Sequence, residues 1–284
     1  MNDNIDNSNI LNNNEEYTAH MVSLKGKRSD NEDKHCIILN LEEQNPELAK
    51  INFFSVYDGH GGKFVSKFLE KNLHLCFTNK NISYPINKDY IYLIFKHIQD
   101  TLREKYNQQA LHTGSTCLIV IHFKIENEEY LDVINTGDCR CVISRNNNAI
   151  PLTKDHKPDW PEERRRIEKT GGKIYVDNHG DYRIKDLSVS RAFGDLDAEP
   201  HVTNIPDIFR YKIEKTDSFI IIACDGLWDV LSNSEAVNFV LNNCYDQTLK
   251  NRISKNVNIA KKLAEYALTM GSGDNLTVIV VFFK

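Results

Sequence analysis

Asp58-Gly59-His60-Gly61-Gly62 follows directly on the apolar run Ile51 to Tyr57. A strand that ends in an acid and passes at once into a glycine-loosened turn holds a carboxylate at the rim of a sheet. The glycines let backbone carbonyls approach whatever that carboxylate binds. Alone, the pattern also fits an ordinary hairpin, since Asp-Gly is a strong hairpin signal. Here it recurs. Asp225-Gly226 follows Phe219 to Ala223, Gly137-Asp138 follows Leu131 to Ile134, and Gly273-Asp274-Asn275 precedes Leu276 to Phe283. Acids beside glycines at four strand ends predict a hard-metal site assembled from distant parts of the chain.

The remaining pattern predicts blocks of strands and pairs of helices. Phe64, Val65, Phe68, Leu69, Leu73 and Cys76 recur at helical steps, as do Leu93, Ile94, Ile98 and Leu102 within a helix over 90–106. Strands are expected at 116–123, 130–135 and 139–144. Short polar turns such as Asn146-Asn147-Asn148 favour antiparallel pairing. A charged helix runs from Pro161 to Lys169, and the polar, glycine-containing stretch from Thr170 to Arg183 reads as a surface flap. Ser232 and Glu235 form a capping box that opens a helix to Leu241. A last helix carries Ile259, Leu263, Ala264, Ala267 and Leu268, and a strand over 276–283 closes the chain. The predicted class is α+β, with stacked antiparallel sheets and helices outside. Residues 1–16 are Asn-rich and acidic, with too little apolar content to fold, and are expected to be a disordered tail. Residues 17–284 are expected to form a single catalytic domain.

Composition excludes several classes. With 40% hydrophobic and 26% charged residues and a formal net charge of -5, nothing favours a polyanionic partner such as nucleic acid. No apolar run approaches the roughly 18 residues of a membrane span, and the N-terminal stretch has neither signal-peptide nor transit-peptide character. A cytosolic or nuclear protein is expected. The seven cysteines include no Cys-x-x-Cys pair and read as reduced thiols, mostly buried, which argues against zinc.

Carboxylates crowded at one sheet rim cannot all ionise unless a cation neutralises them, because like charges and desolvation both raise their pKa. With His60 the only nearby nitrogen or sulfur ligand, oxygen-preferring Mg²⁺ or Mn²⁺ suits such a site. Two such ions bridged by one carboxylate lie about 3.5–4 Å apart and acidify a shared water. Arg28, just before Glu32 and Asp33, offers a guanidinium fork suited to phosphate, although this polar run also reads as a solvated turn.

With these residues in view, the chain resembles the protein phosphatase 2C (PPM) family of metal-dependent serine/threonine phosphatases from about Val22 to its end. The motifs stand in family order: Arg28 with Glu32-Asp33, Val56 to Gly62, Gly114-Ser115-Thr116, Asn135 to Arg140, Asp155-His156-Lys157-Pro158, Leu187 to Asp195, Ala223 to Asp229, and Gly273-Asp274-Asn275. The resemblance implies a β-sandwich of two antiparallel sheets flanked by helix pairs, with metals in a cleft at one end. It implies that Asp58 bridges two ions, that Asp225 and Asp274 complete the first site, and that the Gly59 carbonyl binds the second ion. Glu32 and Asp33 would act mostly through metal-held waters. Arg28 would hold the substrate phosphate, and His60 would protonate the leaving serine or threonine oxygen; the plainer reading of His60 is a turn residue bonded to backbone. Asp138 and Asp229 match positions that bind a weaker third ion in some members, and Asp229 is equally placed to cap a turn. Arg191 is placed near the flap, with a structural role. Arg164, Arg165 and Arg166 read as a solvated helix face.

The chain departs from the family pattern at Asn31, where methionine is usual, and in the polar flap sequence 175–180. The resemblance implies a monomer acting on phosphoserine and phosphothreonine in proteins. A binding module without turnover and a metallohydrolase of small phosphate esters are the rival readings, and the intact acid set speaks against the first.

Overall fold

In the computed structural model, residues 7–13, 17–41, 51–78, 82–249, 251–253 and 257–283 are described. In chain order the elements are β1 (Asn7–Asn13), β2 (Tyr17–Leu24), β3 (Lys34–Ile38), β4 (Asn52–Tyr57), β5 (Gly59–His60), α1 (Phe64–Asn72), α2 (Lys88–Lys105) and α3 (Asn107–Ala110). There follow β6 (Gly114–Ser115), β7 (Cys117–Ile125), β8 (Glu128–Thr136), β9 (Arg140–Arg145), β10 (Asn148–Pro151) and α4 (Pro161–Lys169). The flap region holds β11 (Tyr175–Val176), β12 (Tyr182–Arg183) and β13 (Phe193–Gly194). The chain closes with β14 (Asp207–Lys212), β15 (Asp217–Ala223), α5 (Asp225–Trp228), α6 (Asn233–Cys244), α7 (Ile259–Thr269) and β16 (Leu276–Phe282).

Two antiparallel sheets dominate, with strand orders β1-β2-β16-β15-β9-β10 and β14-β8-β7-β4-β3. Their central strands read as unbroken apolar runs because both faces are buried. In β15, Ile220 and Ile222 point into the layer between the sheets with Phe54, Val56, Val120, Val133 and Ile279. Phe219, Ile221 and Ala223 point the other way, against Val237 and Val240 of α6 and Leu263 and Ala267 of α7. The second sheet is covered likewise: Phe53 and Ile119 meet Leu69 of α1 and Phe95 and Ile98 of α2. The period-two alternation thus supplies two cores at once, giving a four-layer α-β-β-α sandwich. The capping box forms as expected, with Glu235 N donating to Ser232 Oγ (3.2 Å) and Ser232 N donating to the Glu235 carboxylate (2.8 Å).

Two expectations need correction. Residues 7–13 are not a disordered tail: they pair with β2 in a register running from Asn7↔Ser23 to Asn13↔Tyr17. An edge strand is held by backbone hydrogen bonds that need little apolar side-chain content, and Leu11 packs on the inter-sheet core. The remainder of the expected tail, residues 1–6 and 14–16, lies outside the described residues. Arg166 is not part of a solvated face. Its guanidinium binds Glu163 (2.9 Å) and the carbonyls of His201 (2.7 Å) and Ser190 (2.8 Å), tying α4 to the base of the flap. That flap carries a small core of its own, in which Ile167 meets Ile184, Val189, Ala192 and Val202.

Candidate active site

Both sheets end their strands at the same rim. Asp58 follows β4, Asp225 begins α5 directly after β15, Asp138 sits between β8 and β9, and Asp274 precedes β16. A cavity of about 280 Å³ opens there, lined by Arg28, Glu32, Asp58, Gly59, His60, Asp138, Asp225 and Asp274. Residues up to 246 apart in sequence meet in it, as the Arg28–Asp274 pair shows.

Carboxylate oxygens of Asp58, Asp138 and Asp225 lie within 4.8 Å of one another. Burial pushes the pKa of Asp58 well up, reinforced by Asp225, Asp33 and Asp138. Asp225 is raised likewise, first by burial and then by Asp138 and Asp229, with Lys157 opposing. Asp33 lies behind Asp58, fully buried. Neither of its carboxyl oxygens has a hydrogen-bond partner with good geometry among the described residues. Burial raises its pKa to about 6, against the opposite pull of the nearby Thr277 and Cys224 side chains.

Buried carboxyls this close together are costly when ionised, and their all-oxygen donor set fits a hard divalent ion. Cys224 also lies within 4.8 Å of Asp33 and Asp58. Burial pushes its pKa well up and its Sγ donates to the Asn275 carbonyl (3.4 Å), but its position corrects the expectation that His60 is the only nitrogen or sulfur group beside the acids.

The other expected residues are placed as follows. Arg28 is more than half exposed and its Nη2 meets Asp274 Oδ2 at 2.6 Å, so two residues assigned separate tasks are paired with each other. Glu32 is anchored through its backbone N–H to Asn275 Oδ1 (2.9 Å). Gly59 has a reason beyond carbonyl access: a Cβ there would stand 2.4 Å from the Glu32 carbonyl oxygen. Asp229 closes the α5 turn through its backbone N–H to the Asp225 carbonyl (2.8 Å), and burial raises the pKa of its side chain. Arg191 stands apart from the acids, bound to Glu163 (2.6 Å), Asp207 (2.9 Å) and the Ile205 carbonyl (3.0 Å). On the flap side the cavity is lined by Arg183, Asp186, Leu187, Ser188 and Val189.

His60 Nε2 lies 2.7 Å from Asp195 Oδ2, a carboxylate only 3% exposed. Burial alone would lower the His60 pKa; Asp195, through charge and hydrogen bond, opposes it together with the charges of Asp138 and Glu32, and the net shift is upward. Gly114 makes room for this pair, since a Cβ there would fall 2.1 Å from Asp195 Oδ2 and 2.4 Å from His60 Nε2. Asp195 was missed from sequence as a functional residue, although it ends the recognised Ser190-Arg191-Ala192-Phe193-Gly194-Asp195 run. Asn275 was missed too. Its Nδ2 donates to the carbonyls of Lys25 (2.8 Å) and Asp30 (2.9 Å), fastening the Arg28 loop to the strand that carries Asp274.

The family model for protein phosphatase 2C matches residues 17–276. The chain belongs to the protein phosphatase 2C family. It is a protein-serine/threonine phosphatase of that family, whose members depend on metal ions in general, and its acids are able to hold one. A PP2C-like domain-containing protein, R307, of Acanthamoeba polyphaga mimivirus is 51% identical over 172 residues, covering 55% of this phosphatase and 96% of the viral chain. Probable protein phosphatase 2C 11 of Arabidopsis thaliana is 38% identical over 263 residues, covering 92% of this phosphatase, which spans 65% of the plant protein's length. A serine-threonine phosphatase 2C from Toxoplasma gondii shares the fold with a TM-score of 0.82 at 22% identity, both chains being covered completely. Among the described residues, no helix is long and apolar enough to cross a membrane.

Proposed function

We propose that residues 17–284 act as one catalytic unit, a monomer that hydrolyses phosphoserine and phosphothreonine in proteins in a single step. Two Mg²⁺ or Mn²⁺ ions would be held by Asp58, the Gly59 carbonyl, Asp225 and Asp274, with Glu32 and Asp33 acting through water. When bound, such ions supply neutralisation of the carboxylates and activation of a water. The observation that carries this reading is the convergence of Asp58, Asp138 and Asp225 within 4.8 Å, beside the buried carboxyl of Asp33.

The chain's own residues account for the rest. Arg28 presents an exposed guanidinium at the rim, where a phosphate competes with Asp274 for its fork. Asp195 favours the protonated form of His60 and fixes its ring. With Nε2 committed to Asp195, the transferable proton sits on Nδ1, from which it passes to the leaving alkoxide. Cys139 and Arg145 have the Cys-x₅-Arg spacing, but Cys139 immediately precedes β9 and Arg145 ends it, so the two do not frame a phosphate-binding loop. Cys139 is buried and Arg145 is paired to Asp217, so direct attack by water is the consistent route.

The test is Mn²⁺-dependent phosphate release from a phosphothreonine peptide. Asp58→Asn and Asp225→Asn should each abolish it while circular dichroism stays native. Wild-type turnover in either variant would contradict the assignment.

A further inference from the structure

Lys157 has no part in the reading above, yet its ammonium meets the Asp138 carboxylate inside the acid cluster. Three consecutive residues clasp the loop that carries Asp138. Asp155 takes Arg140 in a bidentate pair (3.1 and 2.6 Å). His156 donates its N–H to the Gly137 carbonyl (3.0 Å) and accepts the Gly137 N–H at Nδ1 (3.1 Å). Lys157 then places its Nζ against the Asp138 carboxylate, with Asp225 and Asp229 as further charge neighbours. The Asp138 side chain is 2% exposed and that of Lys157 29%, so this is not a surface pair. Ser190 N also donates to the His156 carbonyl (2.9 Å), which ties the clasp to the base of the flap.

A buried carboxylate facing an ammonium has little left to offer a second cation, and an ion arriving beside the ammonium meets its repulsion. We infer that Lys157 is a built-in counter-ion that sets the threshold for a weak third divalent ion at Asp138 and Asp229, which must displace it. This rests on the proposed two-ion centre. The ammonium neutralises Asp138 while only the two tighter sites are filled, so the third site responds to metal concentration rather than standing permanently loaded.

The experiment is Mn²⁺ counting by titration calorimetry and by electron spin resonance of free Mn²⁺, on the full chain. The set is wild type, Lys157→Met, Lys157→Gln, Lys157→Arg and Lys154→Met. Lys154, three residues upstream, pairs with Glu162 on the surface, so its loss controls for net charge. Wild type should bind two ions tightly and a third weakly. The Met and Gln variants should bind the third at least about tenfold more tightly, the scale expected for one charge a few ångströms away in a partly buried site. Lys157→Arg and Lys154→Met should match wild type. Thermal unfolding identifies any variant that fails to fold, and the Gln variant covers loss of the Met variant.

Unchanged or weaker third-ion binding in the uncharged variants, or equal tightening in Lys154→Met, would overturn the inference. Failure of wild type and all variants to bind two ions would overturn the underlying centre instead, and the inference with it.

Discussion

Asp195→Asn is the sharpest probe of how the site handles protons. The carboxylate sits 2.7 Å from His60 Nε2 and is almost wholly buried, so the substitution keeps the shape and removes the charge. A charge-assisted hydrogen bond contributes about 1.5–3 kcal/mol. That corresponds to roughly a tenfold to hundredfold smaller protonated fraction of His60 at any pH above its pKa. The sign follows from the opposing influences: without Asp195, burial is left as the largest influence and pulls the His60 pKa down. The alkaline limb of the pH–rate profile should therefore move toward acid, and phosphopeptide hydrolysis at pH 8 should fall by roughly tenfold to a hundredfold. Hydrolysis of p-nitrophenyl phosphate, whose leaving group needs no proton, should change by less than about threefold, small beside a general-acid contribution. Equal losses on both substrates, or an unmoved alkaline limb, would refute the idea that Asp195 acts through the charge of His60.

Three further expectations follow from the same geometry. Gly114→Ala should mimic Asp195→Asn, because its Cβ would fall within 2.1–2.4 Å of both partners; a selective phosphopeptide loss checks this, with about 1–3 kcal/mol of destabilisation in urea. Arg191→Met should cost about 1–3 kcal/mol in chemical denaturation, since it removes one of the two guanidinium partners of the buried Glu163 and leaves Arg166 as the other. In the wild type burial would raise the Glu163 pKa, but Arg191, Ser190 and Arg166 depress it to about 2, so this stabilisation is present above about pH 4.5 and is lost as the pH falls toward 2. For the metal centre the sign is opposite. Asp58 and Asp225 have raised pKa values in the metal-free fold, so that fold loses stability as pH rises above the unfolded carboxylate range. EDTA should therefore lower the melting temperature more at pH 8 than at pH 5.5, by about 2–4 °C for each kcal/mol lost. An equal or reversed effect would count against the acids as the metal ligands.

The rim acids were legible because each stands where an apolar run stops or starts, and a strand end fixes where a carboxylate can go. Stacked antiparallel sheets were legible from the blocks of strands, the helix pairs between them and turns such as Asn146-Asn147-Asn148, while the two-sheet sandwich itself came from the family resemblance. Strand β1 was not legible, because its register depends on backbone pairing with 17–23 and not on its own asparagine side chains. The His60–Asp195 pair spans 135 residues and the Arg28–Asp274 pair 246, and no local pattern couples such positions. Arg166 was misread because its helix looks uniformly charged, whereas the flap folds back over one side and supplies carbonyls to it. Lys157 stood inside a quoted motif, but its contact with Asp138 appears only once the clasp around Gly137 has formed.

The central claim is that side chains from both sheets hold a pair of hard cations about Asp58. Anomalous diffraction at the manganese edge from crystals grown with Mn²⁺ tests it most directly. The account predicts two peaks about 3.5–4 Å apart, flanking the Asp58 carboxylate and within reach of Asp225 and the Gly59 carbonyl. A saturated crystal with no peak there, or with manganese bound only away from Asp58, would contradict it.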